Sequence, residues 1–456
     1  MGMIILDIFA FLAAIGILVA VHEWGHYVAA RLAGVKVLRF SIGFGRPLWI
    51  RRGGPDQTEY RLSSIPLGGY VKLLDEREGE VPEQDLHRAF NRQPVRQRIG
   101  ILVAGPAMNF VFAVFAYWLM FVIGVPGLKP IVGEVEPQSI ASDAGLEYKD
   151  RIVGIGEHTV ATWEGAVLAI IDTMLDNKRI RMELATDSGR SKIIDLNIEG
   201  RVKELTEPGM LFSGLGFAPW VPSIDPVMGE ISPGGAAEAA DLRSGDRIVA
   251  AADTEFTSWL EWVQFVQAHP NETVDLAIER NGRPQQLPLT IGQAQNEDGA
   301  TIGRIGAGPD IPENFNEQYS GDQRYGPWDA VGVAVDKTWS MSVLTIRMVA
   351  RMVTGEVSVK NISGPINIAQ YAGYSIMIGL ASFLNFLAVV SLSLGILNLL
   401  PIPILDGGQA VYQLCEAIKG RPLSTRAQLI GQQLGIVFLV LVMSFAFYND
   451  LTRVFS

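Results

Sequence analysis

Four stretches of this chain are apolar over nearly their whole length: Ile4 to Leu32, Ile99 to Val125, Ile376 to Leu400 and Leu429 to Tyr448. Each is near or above the ~20 residues an α-helix needs to cross a bilayer core, so the pattern predicts four transmembrane helices. Trp328 to Val353 is also rich in apolar positions, but Asp329, Asp336, Lys337, Arg347 and Arg351 interrupt it. That stretch reads instead as an amphipathic helix lying at the membrane surface. The first span lacks a basic leading segment and a small-residue cleavage site, so it is expected to be retained rather than removed as a signal peptide.

Between the second and third spans the pattern changes to short β-like runs, such as Ile180 to Leu184 and Val274 to Ile278, alternating with helical stretches. This region repeats itself at an offset of 96 residues. Gly133, Glu134, Pro137, Ala141, Ala144, Leu146, Asp150, Arg151, Ile152 and Val153 recur as Gly229, Glu230, Pro233, Ala237, Ala240, Leu242, Asp246, Arg247, Ile248 and Val249, and Trp163 pairs with Trp259. Ten identities within 21 positions mark a duplicated domain of roughly 90 residues. Between the first two spans, Phe40 to Gly45 and Tyr60 to Val71 read as β-hairpins near the membrane surface, with edges able to accept an added strand.

Composition agrees with a membrane protein. Charged residues are 19% of the 456, below the roughly 25% of soluble domains. The net charge of −11 excludes the basic footprint of a nucleic-acid binder. A lone Cys415 excludes an internal disulfide framework and any site of several cysteine ligands, so a metal would have to use His and carboxylate. Residues 34–98 carry 12 Lys/Arg against 8 Asp/Glu, whereas residues 125–374 carry 20 against 35. By the positive-inside rule the basic loops 34–98 and 401–428 are cytoplasmic, leaving the duplicated region and both termini outside.

The strongest chemical signal is His22-Glu23-Trp24-Gly25-His26 within the first span. Residues i and i+4 of a helix share a face, so both imidazoles can meet one ion, and zinc suits two such nitrogens plus a carboxylate with a fourth position left for water. Glu23 is placed to take that water's proton. Ionisable groups within a span are costly and by default functional. Asp406 is the candidate third ligand: it ends Asn398-Leu399-Leu400-Pro401-Ile402-Pro403-Ile404-Leu405-Asp406-Gly407-Gly408, whose prolines break the third span, and broken backbone at membrane depth must line a cavity or be buried in protein. Asn398 is a candidate donor to substrate or to a developing oxyanion. Gly105-Pro106 and Gly364-Pro365 each read as a helix start. Asn109, three residues after Pro106, is open between a role at the site and ordinary packing.

With H-E-x-x-H in the first span and N-x-x-P-x-P-x-x-D-G in the third, the chain resembles the bacterial site-2 proteases over nearly its entire length. The duplicated region, through Gly245-Asp246-Arg247-Ile248-Val249 and Gly214-Leu215-Gly216-Phe217, resembles PDZ domains; Lys149 stands where the first copy would have glycine. The resemblance implies a polytopic α-helical membrane protein with four transmembrane helices, a membrane-associated β-hairpin region and two tandem periplasmic PDZ (α+β) domains. The expected order is a first span at 1–34, hairpin and loop at 35–98, second span at 99–125, PDZ copies at 126–220 and 221–310, an amphipathic helix and linker at 311–374, the third span at 375–408, a cytoplasmic loop at 409–428 and the fourth span with a periplasmic tail at 429–456.

It further implies His22, His26 and Asp406 as ligands of Zn2+, Glu23 as catalytic acid/base, Asn398 as a substrate contact and a substrate cradle that includes Gly43, Gly45, Gly68, Gly69 and Tyr70. The implied activity is intramembrane proteolysis in a Gram-negative inner membrane by a monomer. Implied substrates are single-span proteins already shortened outside, an anti-sigma factor of the envelope-stress response and remnant signal peptides among them. Partners then comprise such substrates and membrane lipid, with no nucleic acid. Two other readings compete: a membrane-tethered PDZ scaffold with a structural metal site, and a metal transporter. Neither has an obvious need for a carboxylate beside the first ligand, whereas hydrolysis requires a base.

Overall fold

The computed structural model describes residues 2–125, 127–186, 189–220, 223–295, 301–311, 319, 321 and 323–455. The expected domain boundaries at 126 and 221 fall on residues outside that set. Among the described residues, four helices are long and apolar enough to cross a membrane, over Ile4–Leu32, Val95–Ile123, Leu380–Leu399 and Arg426–Arg453.

Helix α1 (Gly2–Leu32) carries the H-E-x-x-H motif in its last third. It leads into strands β1 (Val37–Gly53) and β2 (Thr58–Leu73). These are not separate small hairpins but one long ribbon folded back on itself. Phe40, Ser41 and Ile42 pair on one side with Val71, Tyr70 and Gly69 and on the other with Tyr60, Arg61 and Leu62, while Trp49 to Gly53 pair with Leu62 to Thr58. The fold-back requires glycine: Gly43 and Gly45 have φ of +88° and +83°, in the left-handed region where a Cβ is disfavoured. Segment Gly69–Leu73 is left at the edge of the sheet, on the side of α1.

Helix α2 (Val95–Ile123) begins after Pro94, earlier than the apolar pattern suggests, and Gly105-Pro106 lies inside it. The expectation that this pair starts the span is therefore corrected. The polar first turns are kept helical by Arg98, only 5% exposed, which donates to Gln413 and to both carboxylate oxygens of Glu416. Helix α2 is the hub of the membrane part, packed against most of the other helices. Its close approach to α1 uses small residues, as membrane helix pairs do: a Cβ on Gly25 would lie 2.3 Å from the Ala104 carbonyl oxygen.

The duplicated region folds as two copies of one unit. In the first, a four-stranded sheet has the order His158–Thr159, Arg151–Ile155, Arg179–Ala185, Ser191–Asn197; in the second, Thr254–Glu255, Arg247–Ala251, Thr273–Arg280, Arg283–Thr290. A separate short pairing closes each copy, Val132–Val135 with Phe217–Pro219 and Met228–Ile231 with Ala307–Pro309. Helices α3 (Trp163–Asp176) and α4 (Trp259–Ala268) start at the two equivalent tryptophans because Thr162 and Ser258 cap them. Lys149 takes φ of +67° where Gly245 has +91°, so the turn survives the missing glycine at a cost of roughly 1–2 kcal/mol.

Helix α5 (Asp329–Thr354) buries Ala330 and Ala334 against the second and third spans and Leu344 against Leu175 of α3, and exposes Val331, Val335, Trp339, Ile346 and Val353. It also holds the first copy, through Arg347 to Asp172 at 2.5 Å. The apolar run expected to form the third span is split at Gly379 (φ +137°) into α6 (Pro365–Ile378) and α7 (Leu380–Leu399). Gly364-Pro365 does start a helix, but that helix is α6. Most of the expected cytoplasmic loop 409–428 is helix α8 (Asp406–Lys419), followed by α9 (Thr425–Phe455).

Candidate active site

His22, His26 and Asp406 converge. Nε2 of His22 lies 3.1 Å from Asp406 Oδ2, Nε2 of His26 lies 3.4 Å from the same oxygen, and the two Nε2 atoms are 3.2 Å apart. Zinc–ligand bonds of 2.0–2.1 Å at tetrahedral angles place ligand atoms about 3.3 Å from one another. The triangle thus has the size of one face of a zinc tetrahedron. The other ring nitrogens are engaged outward: His26 Nδ1 donates to the Ile101 carbonyl at 2.8 Å, and His22 Nδ1 faces Asn109. A proton on each Nδ1 leaves both Nε2 atoms as lone-pair donors, and three electron-pair donors facing one point repel unless a cation lies between them. The residues present therefore fit a zinc ion.

Three local features bring the donors together. Both histidines sit on one face of α1. On α2, Gly105 leaves the space that the His26 ring fills, since a Cβ there would lie 2.3 Å from Nε2. Asp406 stands at the first turn of α8, after a tight loop in which a Cβ on Gly407 would meet the Leu399 carbonyl oxygen at 2.3 Å and one on Gly408 the Ile402 carbonyl oxygen at 2.1 Å. Gln409 donates to the Pro403 carbonyl and fastens that loop. The Asp-Gly-Gly sequence is thus what lets α8 turn back against α7 and present its acid to α1.

Glu23 is 9% exposed and lies between the histidines and the sheet. A Cβ on Gly69 would be 2.9 Å from its Cγ, and the Val71 backbone amide faces its carboxylate. Of the predicted cradle residues, Gly69 is the one brought against the site. Gly43 and Gly45 shape the turn of the ribbon, a Cβ on Gly68 would strike the Phe44 ring at 2.4 Å, and Tyr70 stacks on Phe44 and accepts a hydrogen bond from Arg39. Asn398 lies in the last turn of α7, eight residues before Asp406, and its side chain makes no hydrogen bond among the described residues. Two residues beyond the motif matter to the geometry, Gly105 and Arg98. The sequence marks Gly105 only as part of a helix start and Arg98 not at all, because a glycine's role as empty space and an arginine's burial are tertiary facts.

Residues 10–442 match Peptidase family M50. The chain is 40% identical over 449 residues to the regulator of sigma-E protease RseP of Escherichia coli (strain K12), covering 98% of each chain. It is 40% identical to the protease RseP of Yersinia pestis, over 97% of this chain and 98% of the relative. A Vibrio cholerae relative, whose name assigns it provisionally to the zinc metalloproteases, is 39% identical over 99% of both. The PDZ domain of an SdrC-like protein from Listeria monocytogenes covers 20% of this chain and 93% of its own at 18% identity with a TM-score of 0.17, too low to carry an argument. A match over nearly the whole length, joined to a donor triangle of zinc dimensions within apolar helices, makes this chain a member of peptidase family M50 and a zinc metalloprotease.

Proposed function

We propose that this chain is an intramembrane site-2 protease that cuts single-span membrane proteins next to the His22–His26–Asp406 cluster, with Glu23 as the acid/base. The observation that carries the reading is Glu23: a buried carboxylate that, among the described residues, belongs to neither the donor triangle nor an ion pair, lying between that triangle and an open sheet edge. Bound zinc would polarise the scissile carbonyl and lower the pKa of a water molecule toward 7. Glu23 takes the proton of the attacking water and returns it to the leaving amide nitrogen. A structural metal site leaves such a carboxylate without a task.

A helical substrate hides its backbone, so it must be extended before it can be cut. Segment Gly69–Leu73 offers the pairing edge on which an extended segment is held, and Gly69 lets that edge approach Glu23. Asn398 is the side chain that would contact the substrate from α7. The sheet, with Leu48, Trp49 and Ile50 exposed, dips into the cytoplasmic leaflet, while the duplicated modules and both termini lie on the opposite, periplasmic side of the inner membrane. In this reading the modules are PDZ domains. The second has a cavity of about 560 Å³ between α4 and Ile305–Gly308, into which a peptide tail fits. In the first, Phe212 packs on Trp163 and Phe217 at 5.5 Å, so that copy serves as a steric filter. Substrates already shortened outside, an anti-sigma factor and remnant signal peptides, are the class such a filter admits.

The test is cleavage of a single-span reporter by purified wild type and Glu23→Gln in detergent. The variant is expected to retain zinc and lose cleavage by at least about 10³-fold, within the range for a general base. Retained cleavage would refute the assignment.

A further inference from the structure

The histidines of the donor triangle are each steadied from behind, but by different means. His26 donates from Nδ1 to the Ile101 carbonyl, a backbone group held in place by helix α2. His22 Nδ1 faces a side chain, the amide nitrogen Nδ2 of Asn109, at 3.1 Å. Asn109 is wholly buried, and its amide oxygen has no hydrogen-bond partner among the described residues. Oxygen and nitrogen of an amide exchange places by a half-turn; with a proton on His22 Nδ1, which leaves Nε2 free for an ion, Nδ2 would set donor against donor, and the half-turn that puts the amide oxygen there makes the hydrogen bond instead. The residue is fixed from a third element as well: the Ser391 hydroxyl of α7 donates to its backbone carbonyl at 2.9 Å, and Gly395 leaves room beside it, with a notional Cβ 3.3 Å from Asn109 Cβ.

We propose that Asn109 is a positioning residue for the metal centre: its amide oxygen accepts the Nδ1 proton of His22, keeping the Nε2 lone pair aimed at the ion. The inference rests on the reading of His22, His26 and Asp406 as zinc ligands. Outer partners of this kind orient ligand imidazoles and are worth about 10- to 100-fold in metal affinity. Asn109 joins α1, α2 and α7 at the point where all three meet the site, so the ring of His22 is set by the packing of the bundle and not by α1 alone.

The experiment measures zinc affinity by chelator competition on the full chain in detergent, for wild type, Asn109→Leu and Asn109→Asp. Leucine keeps the volume and removes the acceptor; aspartate keeps an acceptor. The expected result is affinity about 10- to 100-fold weaker for Asn109→Leu, and within about threefold of wild type for Asn109→Asp, with reporter cleavage following the zinc occupancy. Asn109→Ala, which also removes the acceptor, replaces the leucine variant if that one does not fold, and carries the same expectation. Wild-type affinity in the variants that lack an acceptor, or equal losses in those variants and in Asn109→Asp, would overturn the proposal in favour of plain packing. Failure of the underlying reading would look different: wild type itself would hold no zinc, and both would fall.

Discussion

Replacing Gly105 by alanine puts a methyl group where the His26 ring now sits. The added Cβ would lie 2.3 Å from Nε2, 2.7 Å from Cε1 and 2.8 Å from Cδ2, whereas ordinary contact begins at 3.4 Å. Ring and helix must therefore part by roughly 1 Å. The ring has little freedom to yield, since Nδ1 is tied to Ile101 on the same helix, and α1 and α2 already touch at Gly25 and Ala104. Helix propensity acts in the opposite direction, favouring alanine by about 0.8–1.0 kcal/mol, so any loss cannot be assigned to a weaker helix. A displacement of ~1 Å from productive geometry costs about 10²-fold in rate. Gly105→Ala is expected to fold, to bind zinc at least about tenfold more weakly and to cleave a single-span reporter about 10²-fold more slowly. Gly100→Ala, on the same helix with nothing within 4 Å of its Cβ, serves as the control and should change neither quantity. Wild-type zinc affinity and cleavage in Gly105→Ala would refute the steric argument.

Two further predictions concern what holds the site and the modules in place. Arg98→Ala leaves Glu416 and Gln413 of α8 without their partner, and losing one member of a buried pair costs about 3–5 kcal/mol; a lowered thermal midpoint in detergent, with weaker zinc retention because α8 carries Asp406, is the expected outcome, and an unchanged midpoint would contradict it. In the second module Asp246 is 1% exposed. Burial raises its carboxyl pKa, but the guanidinium of Arg280, at 2.7 Å from both oxygens, and the Arg243 backbone amide outweigh burial and hold it below the usual carboxylate range. Its contribution to stability is complete above the unfolded value of about 3.9 and is lost as pH falls through the lower folded value. Asp246→Asn should therefore destabilise residues 247–280 near neutral pH and flatten their acid sensitivity, read by pulse-labelling hydrogen exchange; equal protection in wild type and variant at pH 7 would count against it.

Much of the site is legible in the chain because its signals are local. Helical spacing alone places His22 and His26 on one face, and the prolines before Asp406 announce a break at membrane depth. The ten identities at offset 96 foretell two copies of one fold, down to the tryptophans that begin α3 and α4. What stays hidden depends on partners far away in sequence. Gly105-Pro106 reads as a helix start, since proline favours that position, yet tertiary contact uses the glycine as space for His26 and tolerates the proline within the helix. The split at Gly379 is masked because the last residues of α6, Ile376 to Ile378, are as apolar as the span they precede. The folded-back sheet reads as separate hairpins, since nothing in a strand's own residues says that Arg39 to Ile42 will be paired on both sides. Arg98 reads as a solvated loop charge, and only Glu416, more than three hundred residues later, explains its burial.

The central claim is that one zinc ion is held by His22, His26 and Asp406. Zinc-edge X-ray absorption on the purified full chain, alongside metal analysis of Asp406→Ala, addresses it directly. The account predicts about one zinc per chain, with two imidazole nitrogens and a carboxylate oxygen at roughly 2.0–2.2 Å, and loss of that ion in the variant. A wild type without zinc, or a variant that keeps the same ligand shell, would contradict it.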